Sequence, residues 1–338
     1  HRQGYLMIRS AARFMIRTVG LLGLVAAIII GGWVAVDKFI VQTEGPHQDS
    51  VLIQISPGDG HATIRWALKR GGVIRELYHY DAARIMAGTL YVPKEGEFEI
   101  PPRASLAAIM EIIHAGRSHQ RRLTIIEGTT SAEIKDAILK NENFSGDVTV
   151  ALDEGSLLPE TYFFTRGTSR DAMLVRMQEK RELALAEAWI DRAPDLPYET
   201  PRDALVLASI IELETGDSAE RLEVAGVFVN RLKRGMRLQS DPTVLYGVEG
   251  GNNRPIGRSD LKRKTAWNTY VIKGLPKTPI CNPSQESIDA ALAPARTKNL
   301  YFVSDGKGGL RFARTLDEHN RNVRLFRQAQ RKAGLRDN

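Results

Sequence analysis

The stretch "TVGLLGLVAAIIIGGWVAV", Thr18 to Val36, carries no charge across 19 residues. At helical rise it spans about 28 Å, close to the hydrocarbon thickness of a bilayer. Arg2, Arg9, Arg13 and Arg17 precede it, and Asp37 and Lys38 come directly after. The basic tail 1–17 is therefore expected in the cytoplasm, with the rest of the chain beyond the membrane. A cleaved signal peptide is the competing reading. The run is long for such a segment, and no small-residue cleavage site comes after it. A buried core helix fits less well still. Trp33 suits the outer interface. The chain opens on His1 rather than Met, as expected of a trimmed or tagged start.

Beyond this helix the chain has the composition of ordinary globular protein. The 338 residues are 43% hydrophobic and 26% charged, enough for two domains with sizeable cores. The net charge of +7 is not gathered into a stripe, so no nucleic-acid partner is indicated. Cys281 is the single cysteine, which excludes an intramolecular disulfide and a thiolate metal site. Residues 37–50, with polar "QTEGPHQDS", read as a linker. "VLIQI" alternates like a strand. "DGHATIRWALKRGG" reads as a capped helix stopped by Gly71 and Gly72, and "GTLYVPKEGEFEIPP" has strand and hairpin character. "SLAAIMEIIHAG" is a helix with Ser105 as N-cap and Gly116 as stop. This β–α–α–β order over 51–120 is similar to that of a small LysM-type wall-binding module. Residues 121–335 form a larger unit. It opens with a strand at Leu123–Ile126 and a helix near Ser131, and continues through a long charged helix over 171–193. The fold class expected is α+β: one N-terminal transmembrane helix, a small LysM-like domain and a larger α+β catalytic domain.

In "LASIIELETGDSAE", Glu212 and Glu214 stand two positions apart on a helix. Such neighbours are rotated by about 200°, so they cannot face each other as a catalytic pair. Leu205, Ala208 and Ile211, with Val206, Ser209 and Leu213, spread apolar or small residues around this helix. It is expected to be buried on much of its surface. A carboxyl on it is either paired or neutral, and burial raises its pKa toward what a general acid needs. A second helix comes next, with Ser218 as N-cap and Gly235 as stop. "RLQSDPTVLYGV" and "WNTYVIKGLPKTPICNPS" are loop-rich, with neutral hydrogen-bonding side chains and aromatic rings that suit a carbohydrate groove. A Walker segment, a GxGxxG segment, a nucleophile elbow and an HExxH pattern are all missing from the sequence, so no cofactor and no metal is implied.

"ASIIELETGDSAERLEVAGVFVNRLKRGMRLQSDPTVLYGV" resembles the signature of the MltG (YceG-like) endolytic murein transglycosylases. The resemblance continues in "EGSLLPETYFF", "NTYVIKGLPKTPICNPS" and "NLYFVSDGKGGLRFARTLDEHN", and covers the chain from the anchor to about residue 330. One departure is "EGTTS", where the family would carry an aromatic after the glycine. The resemblance implies that the glutamate before threonine, Glu214, is the catalytic acid, with Thr215 and Glu212 supporting. It implies Gln239, Asp241, Thr243, Tyr246, Asn268, Thr269 and Tyr270 as substrate contacts, although an Asp before Pro also commonly caps a turn. The implied reaction cleaves the MurNAc–GlcNAc β-1,4 bond of peptidoglycan without water. The sugar's C6 hydroxyl attacks the anomeric carbon and closes a 1,6-anhydro ring, so one carboxyl suffices where a hydrolase needs two. Glycan strands, the inner membrane and peptidoglycan synthases are the implied partners. A muramidase-type hydrolase with Asp241 as second carboxylate, and a non-enzymatic wall-binding scaffold, are the alternatives.

Overall fold

The computed structural model describes residues 2–248 and 254–332, with side chains described for 15–248 and 254–331. Helix α1 (Arg2–Val36) contains the apolar run, and the stretch Met15–Val41 is long and apolar enough to cross a membrane. By Cα proximity the chain divides into two units, residues 1–121 and 122–338.

In the first unit, α1 passes into a wider π-helical turn, Asp37–Val41. Strand β1 (Val51–Ile55), helices α2 (His61–Arg70) and α3 (Leu77–Ala87), strand β2 (Gly96–Ile100) and helix α4 (Leu106–Ala115) come next in order. The strands pair antiparallel, with Ile53 opposite Phe98. Alternation along them turns Ile53, Ile55, Phe98 and Ile100 toward Ile64, Leu68, Tyr80, Ile109 and Ile113. The stretch Gly88–Val92 lies outside the strands: Gly88–Leu90 is a 3₁₀ turn, and β2 pairs with β1 rather than with a hairpin partner. The expected side-chain cap of α2 is also missing. Gly60 occupies that position, and Asp59 instead accepts from the Ser56 amide at 2.7 Å.

The segment expected to be a linker is stitched onto this unit. Val41 lies in its core, Gly45 N donates to Arg103 O at 3.2 Å, and Arg103 N donates to His47 O at 3.0 Å. His47 is itself buried, with Nε2 2.6 Å from Pro101 O. Backbone groups that would otherwise need water find partners here, so the chain emerging from the apolar helix enters the folded unit directly.

The second unit has two cores. Strands β3 (Arg121–Thr124) and β4 (Thr161–Phe164) pair, with helix α5 (Ser131–Lys140) between them in sequence. Thr130 and Glu133 close a reciprocal capping box at the start of α5. Helix α6 (Arg170–Ile190) links this core, around Ile134, Phe144, Tyr162 and Met173, to the next through Ala184 and Leu185. Helices α7 (Pro201–Glu214), α8 (Ser218–Lys233), α9 (Pro242–Leu245) and α10 (Gln285–Leu292) come after it, then hairpin β5 (Tyr301–Ser304) and β6 (Leu310–Ala313), and helix α11 (Leu316–Lys332). The hairpin pairs antiparallel with Phe302 opposite Phe312, and Phe302 meets Phe228 of α8 edge-on at 5.7 Å.

Helix α7 is the central element. Thr200 caps it, accepting from Asp203 N at 3.2 Å, and Pro201 sits in its first turn, where a missing N–H costs nothing. Every residue from Ala204 to Glu212 is buried. A helix apolar on all sides can satisfy itself only inside a domain. Thr215 is extended (φ −146°, ψ 132°) and ends the helix at Glu214. Thr215 Oγ1 donates to Glu220 and accepts from the Asp217 amide, which turns the chain into α8. The N-cap of α8 is Asp217, one residue before the expected Ser218.

Candidate active site

The two glutamates of α7 leave the helix in different directions. Glu212 Oε2 accepts from Ser284 N at 2.7 Å and Ser284 Oγ at 2.5 Å, and Oε1 lies 3.4 Å from Arg221 Nη2. Ser284 is the N-cap of α10, so this carboxylate ties α7 to α10 and α8 inside the core. Glu212 is therefore a structural tie. Glu212→Ala strands the buried Ser284 and Arg221 donors, and is expected to cost about 3 kcal/mol of unfolding free energy in urea denaturation.

Glu214 points into a groove. It lines two adjoining cavities, and Asp241 lines both of them with it. One cavity, of about 370 Å³, is bounded by Arg231, Leu238, Gln239, Tyr270, Tyr301 and His319. The other, of about 540 Å³, is bounded by Gly128, Thr130, Leu245, Tyr246 and Arg254. The Glu214 carboxyl thus stands where the two halves of the groove meet.

Its proton affinity is set by where it stands. Burial pushes the pKa up to about 7; the Ser240 hydroxyl draws it back, the Asp241 charge raises it, and the Arg231 charge lowers it. Glu214 is also the last residue of α7, where the partial negative charge of the helix terminus disfavours a carboxylate. The group is therefore poised near neutrality, as a general acid requires. Ser240 Oγ donates to Glu214 Oε1 at 2.5 Å and fixes its orientation.

Ser240 is held by a buried clasp between two loops. Its N–H donates to Thr269 Oγ1 at 2.9 Å, and its carbonyl accepts from Thr243 Oγ1 at 2.7 Å. Thr243 Oγ1 and Thr269 Oγ1 are 2.8 Å apart, and Thr269 N donates to Thr243 Oγ1 at 3.1 Å. Asn268 Nδ2 donates to Asp260 O and Arg263 O, while its Oδ1 accepts from Tyr270 N. Thr243, Asn268 and Thr269 are fully enclosed. This corrects their expected role as substrate contacts: they stand behind the groove wall and shape it. Gln239, adjoining Ser240, takes φ +53°. That is an uncommon conformation for a residue with a Cβ, and the clasp enforces it.

Gln239, Asp241, Tyr246 and Tyr270 do line the groove. Asp241 makes no side-chain cap on α9; its Oδ1 accepts from Tyr270 OH at 2.6 Å. Tyr246 stands edge-on to Trp267 at 5.3 Å, and its hydroxyl donates to Glu154 Oε2 at 3.1 Å. Glu154 also accepts from Ser131 N, so it braces the groove from behind. Thr215 has its hydroxyl committed to the turn and serves Glu214 only through the backbone.

Ser240, Arg231, Tyr301 and His319 are not legible in the sequence as site residues. Ser240 lies inside "QSDPT" between Gln239 and Asp241, but nothing in the spacing says that its hydroxyl meets a carboxyl 26 positions away. Tyr301 and His319 arrive from the C-terminal hairpin and helix, which only the fold brings to Glu214.

The arrangement has relatives. The YceG-like family model matches residues 53–325, and the chain belongs to that family. The chain is similar to a protein of Bacillus subtilis named endolytic murein transglycosylase, 28% identical over 332 residues, covering 87% of this chain and 90% of that one. It is also similar to the protein of that name from Streptococcus pneumoniae, 31% identical over 177 residues, covering 50% of this chain and 31% of that one. The crystal structure of a yceG-like protein from Listeria monocytogenes has 28% identity and a TM-score of 0.50, covering 81% of this chain and 99% of that one.

Proposed function

We propose that this chain is an endolytic peptidoglycan lytic transglycosylase, with Glu214 as its catalytic acid and base. The observation that carries the reading is the position of Glu214: a carboxyl with a pKa of about 7 at the junction of two groove halves, oriented by a serine hydroxyl. The names of the relatives from Bacillus subtilis and Streptococcus pneumoniae point to the same chemistry and to murein as substrate.

In this reading a glycan strand lies along the groove with a MurNAc–GlcNAc β-1,4 bond at Glu214. The protonated carboxyl gives its proton to the leaving oxygen as the anomeric C–O bond breaks. The C6 hydroxyl of the same muramyl sugar attacks the anomeric carbon, and the Glu214 carboxylate takes its proton. Both acid and base steps use one group, which returns to its starting state. The nucleophile is already part of the substrate, so no second carboxylate has to place it. Tyr270 lines one half of the groove and Tyr246, backed by Trp267, lines the other, where their rings pack against sugar faces; Asp241 borders both halves beside Glu214.

The apolar helix holds the enzyme in the inner membrane with the catalytic unit outside, which suits trimming or terminating strands as synthases extend them. The small first unit then acts as a LysM-like wall contact. Long, purified glycan strands incubated with the chain in detergent micelles test the endolytic part. Mean strand length should fall early, with little free disaccharide, in size-exclusion profiles. Steady release of disaccharide from long residual strands would contradict it.

A hydrolytic reading is favoured by one observation, the Asp241 carboxyl lining the same groove. Its Oδ1 is engaged by Tyr270, which leaves Oδ2 to activate a water.

A further inference from the structure

The cavity on the Arg231 side of Glu214 holds a charge that the reaction scheme does not use. Arg231 of α8 is buried, 8% exposed. Its Nε donates to Leu300 O at 2.6 Å, and Nη1 donates to Leu238 O at 2.7 Å and Arg237 O at 3.3 Å. The guanidinium lies 5.1 Å from the centroid of the Tyr301 ring. Among the described residues no carboxylate stands within ion-pairing distance of it, and its hydrogen bonds run from Nε and Nη1 to backbone carbonyls and, at 3.5 Å, to Gln239 Oε1. A buried guanidinium that keeps its charge without an anion is costly, and such a group is normally paired.

His319 stands on the same wall. The His319 ring stacks on Tyr301 at 5.2 Å and 27°, and its Nδ1 is buried without a partner. Burial, then the Arg231 charge, lowers the His319 pKa, so the ring is neutral at pH 7 and can carry its hydrogen on Nδ1. Glu214 is the carboxyl whose charge Arg231 feels, and it is needed protonated. Asp241, also on the cavity, keeps its negative charge but holds its carboxylate at Tyr270, outside ion-pairing distance of Arg231. A buried guanidinium without an ion-pair partner and a histidine nitrogen without a hydrogen bond therefore share one wall of a cavity that adjoins the proposed cleavage point.

We propose that the Arg231–Tyr301–His319 wall is a carboxylate subsite, which takes an acid group carried by the glycan strand beside the bond at Glu214. The proposal rests on the reading of the groove as a glycan site. A guanidinium edge prefers a carboxylate to a neutral acceptor, because the bond is charge-assisted and the buried cation gains its counter-charge. In a peptidoglycan strand the two sugars alternate, and only the muramyl sugar bears an acid. That acid is the lactyl carboxylate when the sugar is bare, or a carboxylate of the peptide joined to it. A subsite that binds the acid therefore fixes the register of the strand and selects which of the two alternating β-1,4 bonds reaches Glu214.

The test measures kcat and KM for the chain in detergent on strands with intact peptides, on strands with peptides removed, and on each of these with carboxylates capped as methylamides. Capping should raise KM about tenfold or more while kcat changes less. A loss on capping the peptide-free strands identifies the lactyl group; a loss confined to peptide-bearing strands identifies the peptide. Arg231→Gln should abolish the difference between capped and free strands. His319→Leu, which leaves the Arg231 backbone bonds in place, should shrink it, and carries the test if Arg231→Gln does not fold. Equal KM values on capped and free strands overturn the subsite and leave the glycan groove standing. Failure to cleave any strand overturns the groove reading itself, and the subsite with it.

Discussion

Glu214→Gln is expected to abolish strand cleavage while the fold persists. General acid catalysis by a positioned group contributes about 10²–10⁴ in rate. Here the same carboxyl also receives the C6 proton, so the loss should lie at the upper end, read as kcat on purified strands. The substitution should also stabilise the protein above neutrality. A carboxyl whose pKa is raised to about 7 in the folded state binds its proton more tightly there than in the unfolded chain. Its penalty is absent below the unfolded pKa of about 4.5, grows as pH rises from there to about 7, and levels off above. Gln carries no such penalty. Urea denaturation at pH 8 should therefore show Glu214→Gln more stable by up to about 3 kcal/mol, with little difference at pH 4. A variant that loses activity together with stability would instead mark Glu214 as a packing residue.

Ser240→Ala should move the pH profile in a direction that packing alone would not. The wild-type limb that reports Glu214 in kcat/KM falls as pH rises through about 7, because the acid must be protonated. The Ser240 hydroxyl stabilises the carboxylate through its 2.5 Å hydrogen bond. Removing it leaves burial less opposed, so the pKa rises and the limb shifts to higher pH. A hydrogen bond to a charged group is worth about 1.5–3 kcal/mol, which corresponds to about one to two pH units. The rate on the acid plateau should fall about tenfold as the carboxyl loses its orientation. Ser240→Thr, which keeps the hydroxyl, should restore the limb toward its wild-type position. An unmoved limb in Ser240→Ala would mean that the hydroxyl merely fills space.

The parts of this protein that can be read from its sequence are those written in local code. The apolar run, the Ser105 cap and Gly116 stop of α4, and the burial of α7 come from spacing and composition alone. The opposed directions of Glu212 and Glu214 come from helical geometry, and the structure sends one to Ser284 and the other to Ser240. Local code does not hold the long-range closure. Thr243 and Thr269 have the composition of a polar groove wall, yet they lock onto each other and onto the Ser240 backbone inside the domain. Gly45 and His47 sit in a polar stretch, but pairing with residues 101–103 turns that stretch into part of the folded unit. Arg231 on α8 looks like one more helix charge until Leu300 and Leu238 present their carbonyls to it.

The central claim, that one carboxyl cleaves the strand without water, is tested most directly by the mass of the new sugar ends. Peptidoglycan digested by the chain in detergent, with Glu214→Gln as control, should yield muramyl ends lighter than a reducing sugar by one water, and none with the variant. Reducing ends at full mass would contradict the account: water would then be the nucleophile, and Asp241 would be its base.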